Sequence, residues 1–592
     1  MTFKDLLAKI PYSADLYDAV RRSRPRTRYN LEQLRAHLPA AVEQARSFIA
    51  KAPAGKKIVL FASLHYWVEQ AAILALTLRG LGHEVTIAYW PYGDWRKEIN
   101  AFDLRRQDLY TRRALKPLAG LVKIVSLLES PAARQLPAAL EKAVETVAAY
   151  DAMYTNQEEN VDINGSLYRL RLARNRQAAW AALRLLTESR PDSVLIPNGT
   201  ITELGAVYHA ARHLGLDTVT YEFNDQREQI WIARNDEVMR QNTDALWAAR
   251  GGRALLPEQR EKIEALEAAR MGGRAFGKSA RKWQEVETVG GEKMRADLGL
   301  DARPVVLLAT NVLGDSLTLG RNIFAASMAE WITRTVQYFA GRADAQLLIR
   351  VHPGERLTHG KSMVDVVREA LPHLPENMRV IGPLEKVNTY DLMEISALGL
   401  VYTTTTGMEM ALRGLPVIAC GETHYRRRGF TFDPLTYDEY FAMLDNLLSG
   451  YPVRQLSGSP VGQLSSYPVG QLSSYPVGQL SSSPVGLTEQ PDSRNTGQPD
   501  NRTTEQPNNR NTEQPNNRTT GQPEYWNTDQ QIETAWEYAY RFFFEYPFPF
   551  PWRLMHFWKD LEVWPLERVL SAEGRAEFGK IFDYLAGNRV KW

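Results

Sequence analysis

Four consecutive threonines, Thr403, Thr404, Thr405 and Thr406, followed by Gly407 and then Glu409, carry the most explicit chemistry in the chain. Hydroxyls and backbone N–H groups where a helix starts make a ready anion site, and phosphate is its usual guest. Gly407 lets the backbone come close to such a ligand. Glu409, just inside the helix, can accept hydrogen bonds from a sugar hydroxyl beside the phosphate. An ordinary N-cap also fits this turn, so on the turn alone both readings stand. A second group lies upstream, where Arg350 and His352 precede the turn Pro353-Gly354. Arginine offers a fork for phosphate, and histidine can donate to a phosphate oxygen or stabilise a leaving group. The alternative here is a structural ion pair for Arg350 and a backbone hydrogen bond for His352.

Transfer of a group from such a phosphate to a hydroxyl also needs a base. His65, in the loop FASLHYW, and Glu222, ending the run TVTYEF, are the candidates. A carboxylate buried in a cleft has a raised pKa, which suits that task. His65 fits equally well as a loop histidine with solvent or backbone partners. Glu203 reads as a carboxylate beside a helix N-terminus, complementing its dipole. The run Arg426, Arg427, Arg428 could hold an anion or lie in a solvated loop. No Asp-x-Asp cluster and no Cys/His spacing suggests a metal, so none is expected and no cofactor is required.

These residues need strand ends to carry them. Apolar runs at 58–62 and 84–89, and again at 193–197 and 218–222, alternate with helical stretches, which predicts a parallel sheet. Residues 101–188 between them look mostly helical. The pattern restarts with strands at 305–309, 346–351, 379–381, 398–402 and 417–419, and ligands in such sheets sit beyond the strands' carboxyl ends. Two doubly wound α/β domains are therefore expected, at 1–290 and 300–448, joined by polar sequence over 251–301. Residues 451–525 form a separate insert. An eight-residue unit (YPVGQLSS and variants, then EQPNNRTT and variants) repeats there with proline in register, from Pro452 to Pro523. Each unit has too few apolar groups to build a core, so the insert is expected to be disordered and dispensable. Residues 526–592 are globular again, with ten aromatics between Trp536 and Trp552. Prolines at 547, 549 and 551 limit a clean amphipathic helix to about residue 545, so this tail is expected to pack back on the domains rather than lie in a membrane.

With 71 Lys+Arg against 69 Asp+Glu, no global field argues for nucleic acid. The single cysteine, Cys420, excludes an internal disulfide, fits a reducing compartment and reads as a buried structural thiol. The N-terminus shows no charged-then-apolar signal pattern, and no apolar run approaches the ~20 residues that span a bilayer. The expected location is the cytoplasm, either free or peripheral at the inner face of the plasma membrane.

Three segments resemble the capsule polysaccharide biosynthesis family of GT-B-type glycosyltransferases. They are LIRVHP ending at Pro353, TTTTGMEMALRGLPVIACG ending at Gly421, and the trio Tyr425, Gly429 and Thr431. The N-terminal LTLRGLGHEVTI has only the general likeness of a GT-B helix-to-strand passage. Met410 departs from the family, which usually carries alanine there; the turn has threonine where serine is common, and the three arginines are extra. The resemblance implies two Rossmann-like domains facing a cleft, with a helical tail. It implies transfer of a sugar, an acidic keto-sugar being one option, from a nucleotide-sugar donor to a cell-surface polysaccharide or lipid-linked acceptor. Arg350, His352, Thr405, Thr406 and Gly407 would then hold the donor's phosphate, and Glu409 its ribose. A CDP-alcohol-type polyol-phosphate transferase shares this logic, as does a non-catalytic sugar-binding assembly subunit. The nucleotide-sugar 2-epimerases use a Ser-Gly-Gly phosphate loop, which TTTTG does not match.

Overall fold

The computed structural model describes residues 3–21, 29–94, 96–224, 228–252, 254–272, 286–449, 528–553 and 556–588. The insert at 451–525, and the disorder expected of it, lie outside these residues.

The N-terminal half contributes β1 (Lys57–Ser63), β2 (Glu84–Trp90), β3 (Lys123–Ser126), β4 (Ser193–Pro197), β5 (Thr218–Phe223) and β6 (Gln229–Arg234). The C-terminal half contributes β7 (Val305–Ala309), β8 (Gln346–Arg350), β9 (Met378–Ile381), β10 (Leu398–Val401) and β11 (Val417–Ala419). A two-residue strand, β12 (Phe548–Pro549), belongs to the tail. The first sheet runs β12-β6-β5-β4-β1-β2-β3 and the second β11-β10-β7-β8-β9. β1 to β5 and all of β7 to β11 pair in parallel, while β6 and β12 add antiparallel at one edge. In each sheet the first strand lies inside the sheet and the order reverses beside it, between β1 and β4 and between β7 and β10. Such a switch point leaves a crevice at the strands' carboxyl ends where ligands bind. The fold is α/β, with two doubly wound sheets.

Burial on both faces explains why the central strands read as unbroken apolar runs: VVLLA in β7 and LGLV in β10 are buried throughout. The helix Met328–Ala340 that follows β7 begins where Ser327 caps it by accepting from the Glu330 N–H. The polar connector carries two helices, Pro257–Met271 and Gly291–Asp297, each burying one apolar residue, Ile263 and Met294.

The tail ties both halves together. Helix Thr528–Tyr540 lies against helices Pro257–Met271 and Thr406–Leu412, and the Trp536 indole donates to the Leu412 carbonyl at 3.1 Å. It runs into a π-turn, Arg541–Glu545, before the prolines, and β12 then joins the N-terminal sheet. Trp552 is fully buried and donates its indole N–H to the Trp564 carbonyl at 2.9 Å. Burying one such side chain contributes on the order of 2–3 kcal/mol. The halves also meet directly. Glu159, from the N-terminal half, accepts from the Met328 and Ala329 N–H groups at 3.0 and 2.9 Å, capping a C-terminal helix.

Candidate active site

The two switch points open onto one cavity of about 490 Å³. Its C-terminal wall comes from the loop after β7 (Asn311, Val312, Asp315, Ser316), from His352 after β8, and from Thr403, Thr404 and Thr405 after β10. The opposite wall comes from Leu64, Tyr66 and Trp67 after β1, Asn198 and Thr202 after β4, and Glu222 and Phe223 at the end of β5.

The threonine turn is held from three sides. The Asn311 carboxamide accepts from the Thr403 N–H at 3.1 Å, and the Tyr425 hydroxyl donates to the Thr404 carbonyl at 2.6 Å. Within the turn the Thr404 hydroxyl donates to that of Thr406 at 3.0 Å. Thr405 therefore lines the cavity, while Thr406 and Gly407 lie behind it. Gly407 has a steric reason to be glycine: a Cβ there would fall 2.5 Å from the Tyr425 hydroxyl.

His352 is oriented by its own loop. Its backbone N–H donates to the Thr310 hydroxyl, and its Nδ1 accepts from the Gly354 N–H, each at 3.0 Å. An accepting Nδ1 leaves the proton of the neutral ring on Nε2, which makes the ring a donor for an anion. Arg350 lies elsewhere. It is buried and donates to the Gly382 and Val387 carbonyls at 2.9 and 3.2 Å, and it is not among the residues lining the cavity. Burial lowers its pKa to about 10. Glu409 is likewise buried outside the lining, paired to Arg270 at 2.6 Å and accepting from the Tyr390 hydroxyl at 3.3 Å.

On the N-terminal wall, Glu222 accepts from the Asn198 carboxamide N–H and from the Phe223 N–H, both at 3.1 Å. Burial raises its pKa, and these two hydrogen bonds offset part of the rise. Trp67 stacks on Phe223 with ring centroids 5.8 Å apart, giving an aromatic face beside the carboxylate. Leu64 bends into the cavity with φ 69° and ψ 155°, a region that costs non-glycine residues roughly 1–3 kcal/mol. His65, next to it, packs edge-on against Tyr29 and Tyr66 and is not in the lining; burial lowers its pKa. Glu203 is spent on structure, since Arg171 bridges it at 3.0 Å to Asp151 at 3.1 Å. Asp151 in turn accepts from the Thr202 N–H, so this buried ion network fixes the loop after β4.

The three arginines each have a structural partner. Arg426 is buried and donates to the Ala419 and Pro434 carbonyls; Arg427 pairs with Glu422 and Arg428 with Asp244. Among the described residues there is no group of three or more His, Cys, Asp or Glu placed to hold a metal ion.

Residues 269–443 match the family described as Capsule polysaccharide biosynthesis protein. That match lies in the C-terminal half of the chain. No curated protein matches the chain. Among solved structures, the chain is similar to the Thermosulfurimonas dismutans KpsC beta Kdo 2,4 transferase at 19% identity, over 42% of this chain and 74% of that one, with a TM-score of 0.29. It is also similar to that organism's KpsC beta Kdo 2,7 transferase at 12% identity, over 43% and 73%, with a TM-score of 0.28. A third likeness is to a UDP-N-acetylglucosamine 2-epimerase from Listeria monocytogenes at 12% identity, over 67% and 89%, with a TM-score of 0.23.

Within the matched segment, the unusual Met410 has a local explanation. Its sulfur occupies the space that a Cβ at Gly399 of β10 would fill, so the larger side chain is matched by the glycine beneath it. Of the residues expected at the site, the cavity brings together Glu222, His352 and Thr405. With Thr405 come Thr403 and Thr404 of the same turn, and the cavity adds Asn311, Asp315 and Arg270, along with Phe542 and Phe543 from the tail. Asn311 and Asp315 carried a readable signal, since both follow an apolar strand at a sheet's centre. Arg270 and the two phenylalanines carried none, because distant segments deliver them.

Proposed function

We propose that the protein is a glycosyltransferase that moves a sugar from a nucleotide donor to a glycan or lipid-linked acceptor of the cell surface. The observation that supports it most is the single cavity that sets Glu222 opposite His352 and the threonine turn. Glu222 takes the proton of the acceptor hydroxyl, whose oxygen attacks the sugar's anomeric carbon. The bond from that carbon to the donor's phosphate oxygen breaks, and the charge developing on the phosphate is met by the hydroxyls of Thr403 and Thr405 and by His352. Trp67 and Phe223 offer the apolar face on which a sugar ring can rest.

The test is thermal unfolding of the full chain with CMP, CDP, UDP and GDP. Ligand at a hundredfold over its Kd adds about 2.7 kcal/mol, so one base class is expected to raise Tm by several degrees. Absence of a shift with every nucleotide overturns the reading.

We further propose that the protein works peripherally at a membrane surface. No helix among the described residues is long and apolar enough to cross a bilayer. The second helix, Ser13–Arg21, and the turn before it nevertheless leave Tyr12, Leu16 and Val20 exposed at 82%, 69% and 78%. Co-flotation with lipid vesicles tests this.

A further inference from the structure

We propose that Gln241 reads the hydroxyls of the group in transfer, an inference that rests on the nucleotide-donor reading of the cavity. Among the described residues, four side-chain carboxamides line that cavity: Asn198, Asn224, Gln241 and Asn311. Three of them are tied to the protein. Asn198 accepts from the Thr200 and Ile201 N–H groups at 3.1 and 3.3 Å and donates to Glu222 at 3.1 Å. Asn224 donates to the Gln229 carboxamide at 2.8 Å, and Asn311 accepts from the Thr403 N–H at 3.1 Å. Gln241 is 5% exposed, yet among the described residues its carboxamide has no hydrogen-bond partner. A buried amide left unpaired costs stability, and a ligand that supplies the missing hydrogen bonds recovers it.

Its place in the fold decides which part of a ligand it meets. Gln241 follows the short turn Val238–Arg240, which lies against β5 and β6. Glu222 of β5 faces Trp231 of β6 across the antiparallel pair, and both line the cavity. Upstream, the Asn235 N–H donates to the Thr218 carbonyl at 2.7 Å, in the N-terminal sheet. Downstream, the Thr243 hydroxyl donates to the His424 carbonyl at 3.0 Å, in the C-terminal half. Gln241 therefore sits where the chain crosses from the half that carries Glu222 to the half that carries the threonine turn. A sugar in transit from phosphate to acceptor bridges the same two halves. A carboxamide offers one acceptor oxygen and two N–H donors in a plane, which suits a pair of neighbouring hydroxyls.

The plain alternative is that Gln241 only closes the turn. Its backbone is left-handed, with φ 51° and ψ 46°, and its N–H donates to the Val238 carbonyl at 3.0 Å. That role uses no side chain, and asparagine enters this conformation more readily than glutamine. Asparagine is also one methylene shorter. Gln241→Asn therefore separates the two roles, because it suits a turn and withdraws a substrate contact.

The experiment measures Kd for CMP, CDP, UDP and GDP and for the esters CMP-N-acetylneuraminate, CDP-glycerol, UDP-glucose, UDP-N-acetylglucosamine and GDP-mannose. It uses the full chain, Gln241→Asn and Gln241→Leu, with Tm recorded for each. Gln241→Leu, which keeps the bulk and removes the hydrogen bonds, is expected to weaken the best-binding ester at least tenfold and leave its nucleotide within twofold. Gln241→Asn is expected to do the same to the ester, with a Tm equal to the parent's or above it. Where Gln241→Leu fails to fold, Gln241→Asn decides alone. An ester Kd that Gln241→Asn leaves unchanged reduces Gln241 to a turn residue. Equal weakening of ester and nucleotide by Gln241→Asn overturns the proposal in favour of a contact to the nucleotide. A parent that binds a nucleotide but none of the esters overturns the contact to the transferred group and leaves the nucleotide site standing. A parent that binds no nucleotide overturns the donor reading itself, which none of the other outcomes does.

Discussion

A carboxyl group can take a proton from an attacking hydroxyl only while it is ionised. Burial raises the pKa of Glu222, so protonation persists to a higher pH than for an exposed carboxyl. Activity is therefore expected to rise with pH through that raised value, giving the acidic limb of a kcat/KM profile. Glu222→Gln is expected to lower kcat by ~10²–10⁴, remove that limb and leave nucleotide Kd unchanged. The sign for stability is opposite: the folded state holds this proton more tightly, so stability falls as pH rises from the ordinary range to the raised one, and the variant flattens the fall. A variant with near-parent turnover, or one that keeps the limb, removes Glu222 from the role. At this scale residue types were legible and their partners were not. Arg350 announces a cation at a strand end, but the carbonyls that occupy it lie beyond β9, 32 and 37 residues on. Glu409 announces a carboxylate early in a helix, but its arginine is 139 residues away.

Elements were legible where they are local and buried. β7, β8, β10 and β11 are short apolar runs with glycine or proline nearby, and the fold places strands there. β3, β6 and β12, on the two sides of the N-terminal sheet, were less legible, because they take their conformation from a neighbouring strand rather than from their own pattern. The tail follows the same rule, since its aromatics suit a membrane or a core and only the finished fold shows Tyr538, Phe542 and Trp552 buried. The N-terminal helices are the reverse case. Tyr17 packs on Phe102 and Asp18 pairs with Arg113, which turns Leu16 and Val20 outward. Spaced one helical turn apart, these two share a face. Leucine burial in lipid is worth about 1.5–3 kcal/mol, so Leu16→Glu with Val20→Glu is expected to cut vesicle co-flotation at least tenfold with Tm unchanged. Equal flotation of parent and variant, or none by the parent, removes this surface as a membrane contact.

Across the whole molecule, a compact unit comprises Met1–Arg454 together with Asn527–Trp592. The helices on either side of the insert complete that unit without it. Tyr437–Ser449 buries Tyr440 and Leu444 against the C-terminal sheet, and Thr528–Tyr540 carries Ala535, Tyr538 and Ala539 into the core that the tail shares with that sheet. The sequence between them repeats proline in register and offers little to bury, so it is expected to add no core of its own. If the insert is disordered as the sequence leads us to expect, residues 455–526 act on folding through their length alone. Each halving of a flexible loop lowers its closure cost by about 0.6 kcal/mol, so a Gly/Ser linker a quarter as long is expected to stabilise the chain by about 1.2 kcal/mol. The replacement should show a Tm that is unchanged or slightly raised, with nucleotide Kd within twofold of the parent. The second measurement matters because Phe542 and Phe543, just beyond the insert, line the cavity. A linker that misplaced helix Thr528–Tyr540 would move both rings and lower affinity even if Tm held. Retained Tm with lost affinity would therefore mean that the insert sets the position of the tail, and loss of both would mean that it contributes to the fold.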